Sequence, residues 1–138
     1  YAESWGIYMQ LTNILRDVAE DIERDRIYLP IEDLKRYGIS ENDLRNGKDI
    51  LKHPGWKPFV SEFISRADKY RERGVKLFPL LDKSSRYSPA AMTTFYHSIM
   101  KKIEKNDGDV FSERTQLSKT EKIGLAAYIY VRYRFFAL

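Results

Sequence analysis

The chain has 138 residues, 43% of them hydrophobic and 32% charged, the balance of an ordinary globular domain with one core. It contains no cysteine, which excludes a disulfide framework and a thiolate metal site. Its net charge of +4 suits an anionic ligand or a membrane surface without requiring either. No run reaches the length of a membrane-spanning helix, and no signal peptide is visible. The chain opens at Tyr1 inside a stretch that already reads as helical, as expected of a segment of a longer protein.

The first predicted helix covers residues 2–24, where Leu11, Ile14, Leu15, Val18 and Ile22 recur at three- and four-residue steps. Pro30 stops regular structure, and "IYLP" reads as an extended exit. A short helix over 31–37 ends at Gly38, a suitable C-cap position. Ser40 reads as the N-cap of a helix over 41–46, with Asp43 completing a loose capping box. Residues 47–58 are turn-rich, and "HPGW" is their clearest breaker. A long helix over 58–78 carries Phe59, Phe63, Ala67, Tyr70 and Gly74 on one face, with Pro79 at its end. Ser88 and Pro89 read as N-cap and first residue of a helix running to Lys105. Met92, Phe95, Tyr96, Ile99, Met100 and Ile103 form its inner side. "NDGD" at 106–109 is a turn, and Ser118 with Glu121 fits a second capping box. That box opens a last helix whose apolar positions extend to Leu138. No strand, repeat or low-complexity segment is convincing, so the fold class is all-α.

The first helix holds the most unusual pattern. Gln10, Asn13, Asp17 and Asp21 step by three, four and four, so they line one stripe. Arg16 and Glu20 flank it, and Leu11, Leu15, Val18 and Ile22 lie opposite. One reading is a solvated face with pairs such as Glu20–Arg24. The other is a site for a divalent cation and phosphate. Asn and Asp are poor helix-interior residues, and Asp17 and Asp21 repel at this spacing. Hard oxygen ligands so placed suit Mg²⁺, which shares its shell with water and phosphates. The residues alone leave both readings open.

The stretch "QLTNILRDVAEDIERDRIYLP", Gln10 to Pro30, resembles the second aspartate-rich motif of the head-to-head trans-prenyl synthases, the squalene and phytoene synthase family. Its "RIYLP" exit is closest in character to the bacterial phytoene and dehydrosqualene branch. "AMTTFYHSIMKKIEKNDGDVFSER" resembles a later helix and turn of that family. The resemblance implies an all-α isoprenoid-synthase bundle, with residues 1–138 as the C-terminal half of one such domain. Members carry a first aspartate-rich motif upstream, and none precedes Gln10 here. The missing N-terminal half is therefore an expected partner, and the segment alone is expected to be inactive.

The implied reaction joins two farnesyl or geranylgeranyl diphosphates into a C30 or C40 hydrocarbon, with loss of diphosphate. By the same resemblance, Asn13, Asp17 and Asp21 hold Mg²⁺, while Gln10, Arg16 and Arg114 bind diphosphate. Tyr96 joins Asp17 and Asp21 in the catalytic set. Taken alone, Tyr96 reads as core and Arg114 as a loop charge. Ile7, Leu11, Ile14, Phe95 and Ile99 are expected to face an apolar chamber, and Arg24, Arg26 and Tyr28 to lie near the site as a flap or solvated loop. His53 and His97 lack partners at ligand spacing and read as structural. NADPH is expected only for a squalene product. Prenyl diphosphates, not nucleic acid, are the expected partners. The expected setting is the cytoplasm, with peripheral membrane contact compatible with the aromatic tail. Two rivals stand beside this reading: a prenyl-diphosphate phosphohydrolase on the same fold, and a non-catalytic basic helical interaction module.

Overall fold

The computed structural model describes residues 1–135, and side chains as far as residue 132. Every regular element among them is helical. Seven α-helices follow in order: α1 Ala2–Arg16, α2 Val18–Glu23, α3 Ile31–Arg36, α4 Glu41–Arg45, α5 Trp56–Gly74, α6 Tyr87–Lys105 and α7 Lys119–Phe135. Short 3₁₀ turns fill Gly47–Lys52, Val75–Leu80 and Lys83–Ser85. No helix of the described residues is long and apolar enough to cross a membrane. The far end of the predicted tail, to Leu138, lies outside the described residues.

α1 packs chiefly on α5 and next on α6, and α7 rests on α6. The α5 stripe is as the period predicts: Phe59, Phe63, Ala67 and Gly74 are buried, and Tyr70 is half-buried. Tyr8 and Leu15 of α1 and Met100 and Ile103 of α6 join the same core. Each large apolar side chain so buried contributes about 1.5–3 kcal/mol. Gly74 sets how closely α1 and α5 approach. A Cβ there would stand 2.8 Å from the Trp5 Cα, so only hydrogen fits. Trp5 also donates its indole N–H to Thr93 Oγ1 at 2.8 Å, tying the start of α1 to α6.

The short-range terminus signals hold. Ser40 and Asp43 form a reciprocal capping box, and so do Ser118 and Glu121. Gly38, at φ +71°, closes α3, with Ile39 N–H donating to Leu34 C=O and Gly38 N–H to Lys35 C=O. α2 ends by the same device on a non-glycine residue. Asp25 takes φ +57°, Arg26 N–H donates to Asp21 C=O, and Asp25 N–H donates to Ile22 C=O. This turn sends the extended exit back so that Leu29 is buried.

Four expectations need correction. The predicted 2–24 helix breaks at Asp17, which takes φ −101° and ψ 11°. Asp is a weak helix former and adopts this bridge conformation readily. The hydrogen bonds Asp17 N–H to Asn13 C=O and Asp21 N–H to Asp17 C=O persist, so the stripe keeps its phase across the joint. The long helix begins earlier, at Trp56, and gives way after Gly74 to a 3₁₀ turn that contains Pro79. α6 is capped by Arg86 rather than Ser88. The Arg86 side chain donates to the carbonyls of Leu81 and Pro79, while Pro89 sits in the first turn, where its missing N–H costs nothing. Met92, expected inside, is 40% exposed.

Candidate functional site

The joint between α1 and α2 gathers the charged groups. The Arg16 guanidinium grips both oxygens of Asp17, Nε donating to Oδ1 at 2.7 Å and Nη2 to Oδ2 at 2.6 Å. Arg114 Nε donates to the same Oδ1 at 3.0 Å and lies 3.3 Å from Glu20 Oε1. Tyr96 of α6 is among the groups acting on the Arg16 guanidinium. Asp17 and Arg16 are only 19% and 16% exposed, so their pairing is shielded from solvent far better than a surface pair. Burial acts on Asp17 most strongly and pushes its carboxyl up. Hydrogen bonds and charge from Arg16 and Arg114 together outweigh that, so the group sits below the usual carboxylate range. Arg16 is pushed up, first by its hydrogen bond to Asp17, against partial burial.

Arg114 arrives from 97 residues away because the loop after α6 is firmly built. α6 ends on Asp107 at φ +54°, with Gly108 N–H donating to Ile103 C=O. The Trp56 indole N–H then donates to Gly108 C=O at 3.0 Å. A Cβ on Gly108 would meet Val60 Cγ2 at 3.0 Å and Trp56 Nε1 at 3.1 Å, and its φ of +80° itself favours glycine. The Asp109 carboxylate next accepts the N–H groups of Phe111 and Ser112, a local turn that aims the chain toward Asp17.

Asn13 lies one turn before Asp17. Its amide oxygen is buried and accepts no hydrogen bond. Three other buried polar atoms share that condition among the described residues: Tyr8 Oη, Asp33 Oδ2 and His97 Nδ1. Asp33 Oδ2 is still 2.6 Å from Arg66 Nη1, and His97 Nδ1 lies 3.5 Å from Asp68 Oδ1. The Asn13 oxygen is therefore the buried acceptor at this joint left over for a cation or donor. Asp21 is half-buried beside Ile14, Ile22, Arg26 and Tyr28, and forms no ion pair among the described residues. Gln10 is exposed one turn earlier.

The structure thus brings Arg16, Asp17, Arg114 and Tyr96 into one group, with Asn13 on the adjoining turn. Asp21 and Gln10 extend the stripe without joining that network. Arg24, Arg26 and Tyr28 are all exposed. Glu20, expected to pair with Arg24, pairs with Arg114 instead. Its charge signalled a pairing partner; the identity of that partner depended on the distant loop. Of the expected apolar chamber residues, Ile99 is buried, while Ile7, Leu11, Ile14 and Phe95 are half-buried. The two histidines stand apart from this network: His53 accepts the Gly55 N–H, and burial pushes His97 down.

No group of three or more His, Cys, Asp or Glu side chains gathers at metal-binding distance among the described residues. The donor set here is one amide oxygen and carboxylates, all hard oxygens, and the unpartnered Asn13 oxygen fits a hard cation such as Mg²⁺. The neighbouring guanidiniums fit a polyanion.

Comparison with known proteins gives concordant matches. Phytoene synthase of an Oncidium hybrid cultivar is 38% identical over 131 residues, covering 95% of this chain and 31% of that protein. The 15-cis-phytoene synthase of Synechocystis is 39% identical over 118 residues, covering 86% of this chain and 34% of that protein. The chain thus spans about a third of the length of these relatives. A crystal structure of a dehydrosqualene synthase in complex with ligand superposes with a TM-score of 0.81 at 27% identity, over 95% of this chain and 45% of that one. YisP from Bacillus subtilis shares the fold, with a TM-score of 0.76 at 23% identity, over 90% of this chain and 48% of that one. The squalene/phytoene synthase family model matches residues 1–121. With most of its length matched by that model and its helices laid out as in a dehydrosqualene synthase, this chain belongs to the squalene/phytoene synthase family.

Proposed function

We propose that these residues form one wall of the active site of an enzyme that condenses two prenyl diphosphates head to head and releases diphosphate. The observation that carries this reading is the buried, unpartnered Asn13 oxygen one turn from an Asp17 already held by two guanidiniums. Oxygen donors and forked cations placed together suit a metal–diphosphate group better than either feature alone. We further propose that residues 1–138 are the second half of a single all-α domain, whose other half completes the site.

In this reading Asn13, Asp17 and Asp21 hold Mg²⁺. When bound, the ion neutralises phosphate oxygens and stabilises the charge on the departing diphosphate. Arg16 and Arg114 turn their forked donors from Asp17 to the phosphates. Gln10, exposed at the head of the stripe, donates its amide to a phosphate oxygen. Tyr96, beside Arg16, donates its hydroxyl to the diphosphate or presents its ring to the allylic cation. The half-buried side chains Leu11, Ile14 and Phe95 exclude water from that cation.

The test is product analysis of the full-length protein with Mg²⁺ and either farnesyl or geranylgeranyl diphosphate. A C30 or C40 hydrocarbon is expected, and Asp17→Asn should abolish it. Prenyl alcohol as the only product would replace the condensation by simple hydrolysis.

A further inference from the structure

We propose that Glu20 is a positioning residue that receives Arg114 when a cation takes Asp17. The inference rests on the metal reading above and adds a residue and an order of events to it. Asp17 is poorly disposed to a cation in the arrangement described here, because three of its roughly four lone-pair sites are taken by guanidinium donors. Arg16 occupies both of its oxygens, and Arg114 shares Oδ1. A divalent ion at this carboxylate therefore meets two like charges, and its binding is favoured when one of them moves away.

Each guanidinium has somewhere to go. Arg16 has Tyr96 beside it. Arg114 already lies 3.3 Å from Glu20, only slightly farther than the 3.0 Å to Asp17. One nitrogen, Nε, faces both carboxylates, so a small side-chain rotation transfers it from one to the other. The backbone need not move. The Trp56–Gly108 hydrogen bond and the Asp109 turn hold the loop that carries Arg114. Held by Glu20, the guanidinium stays beside the metal, with its remaining N–H groups directed to an arriving phosphate. Without Glu20, leaving Asp17 would strand Arg114 with no carboxylate partner.

The size of the effect follows from exposure. The Arg114 and Glu20 side chains are 48% and 38% exposed, so their pairing is a partly screened one. Pairs of that kind shift an equilibrium by about two- to fivefold.

The experiment titrates Mg²⁺ calorimetrically into the full-length protein, alone and with saturating inorganic pyrophosphate. E20Q should weaken Mg²⁺ binding about two- to fivefold, and E20D should restore most of it. R114Q should tighten binding of Mg²⁺ alone, because a competitor has left Asp17. The double variant E20Q/R114Q should bind as R114Q does, since Glu20 then has nothing to receive. An equal loss on E20Q in both backgrounds would make Glu20 a direct ligand or a through-space charge and would overturn the handover. No loss on E20Q, where D17N still abolishes binding, would overturn the handover while leaving the metal reading intact. Absence of Mg²⁺ binding to the parent in both arms would overturn the metal reading and the handover with it.

Discussion

The loop after α6 and the joint between α1 and α2 are both rich in polar groups, yet they are satisfied differently. In the loop the described polar groups answer one another: Gly108 C=O takes the Trp56 indole, Asp109 takes two backbone N–H groups, and Ser118 and Glu121 cap each other. At the joint, Asn13 has an acceptor with no donor, and Asp17 carries more cation than it needs. The loop is built for position and the joint for exchange. A framework whose own hydrogen bonds are complete can present an incomplete site without losing its shape.

That contrast can be broken most forcefully from the loop side. Trp56→Ala removes a fully buried ring stacked on Phe59 and frees Gly108 C=O. The expected cost is about 3–5 kcal/mol in urea unfolding. At the joint, D17N in the full-length protein should lower condensation by about a hundredfold or more, while costing about 1.5–3 kcal/mol of unfolding free energy, less than Trp56→Ala. Equal stability losses in the two variants would erase the distinction. Asn13→Leu is a sharper probe, since it removes a buried acceptor that nothing satisfies. It should leave the metal-free protein unchanged or about 1 kcal/mol more stable, and should weaken Mg²⁺ binding in the same variant. A destabilised Asn13→Leu that binds Mg²⁺ normally would show Asn13 to be structural.

The smallest effect concerns pH. Lys102, with help from the Ser118 N–H and hydroxyl, holds Glu121 down at about 2, against an ordinary value of 4.5. Because the folded value is the lower one, the contribution is fully present above the ordinary value. It is lost as pH falls from about 4.5 toward about 2. Protection of the α7 amides, taken relative to the intrinsic exchange rate at each pH, should therefore fall in that window before the α1–α5 core responds, and Glu121→Gln should remove that pH dependence. The contact lies where α7 meets α6, so the effect should stay local.

What was legible in the chain divides by distance. The boxes at Ser40–Asp43 and Ser118–Glu121, the glycine closing α3 and the apolar stripe of α5 depend on neighbours within a few residues, and each is where the pattern put it. The break at Asp17 was hidden because the helical bonds and phase continue through it. Arg86 was missed as the N-cap position of α6 because its side chain makes no capping hydrogen bond and turns back to Pro79 and Leu81 instead, so no capping residue type marks the start. The α6 period was right, but its face was misjudged at Met92. At the site, the stripe from Asn13 to Asp21 could be read from spacing. The pairing of Arg114 with Asp17 and Glu20 could not, because it depends on a loop anchored by Trp56. The motif's likeness to a family supplied the candidacy of Arg114 without its partners.

Gly74 bears on how accurately the joint is aimed. Its missing side chain lets one backbone rest against another at Trp5, twelve residues before Asp17 and about 18 Å along α1. The helix that carries the site therefore behaves as a lever whose fulcrum is main chain rather than an adaptable side chain. Repacking of neighbouring rings leaves that fulcrum fixed. A single added methyl at residue 74 lifts it, and the far end of the lever carries the error into the alignment of Asn13 and Asp17.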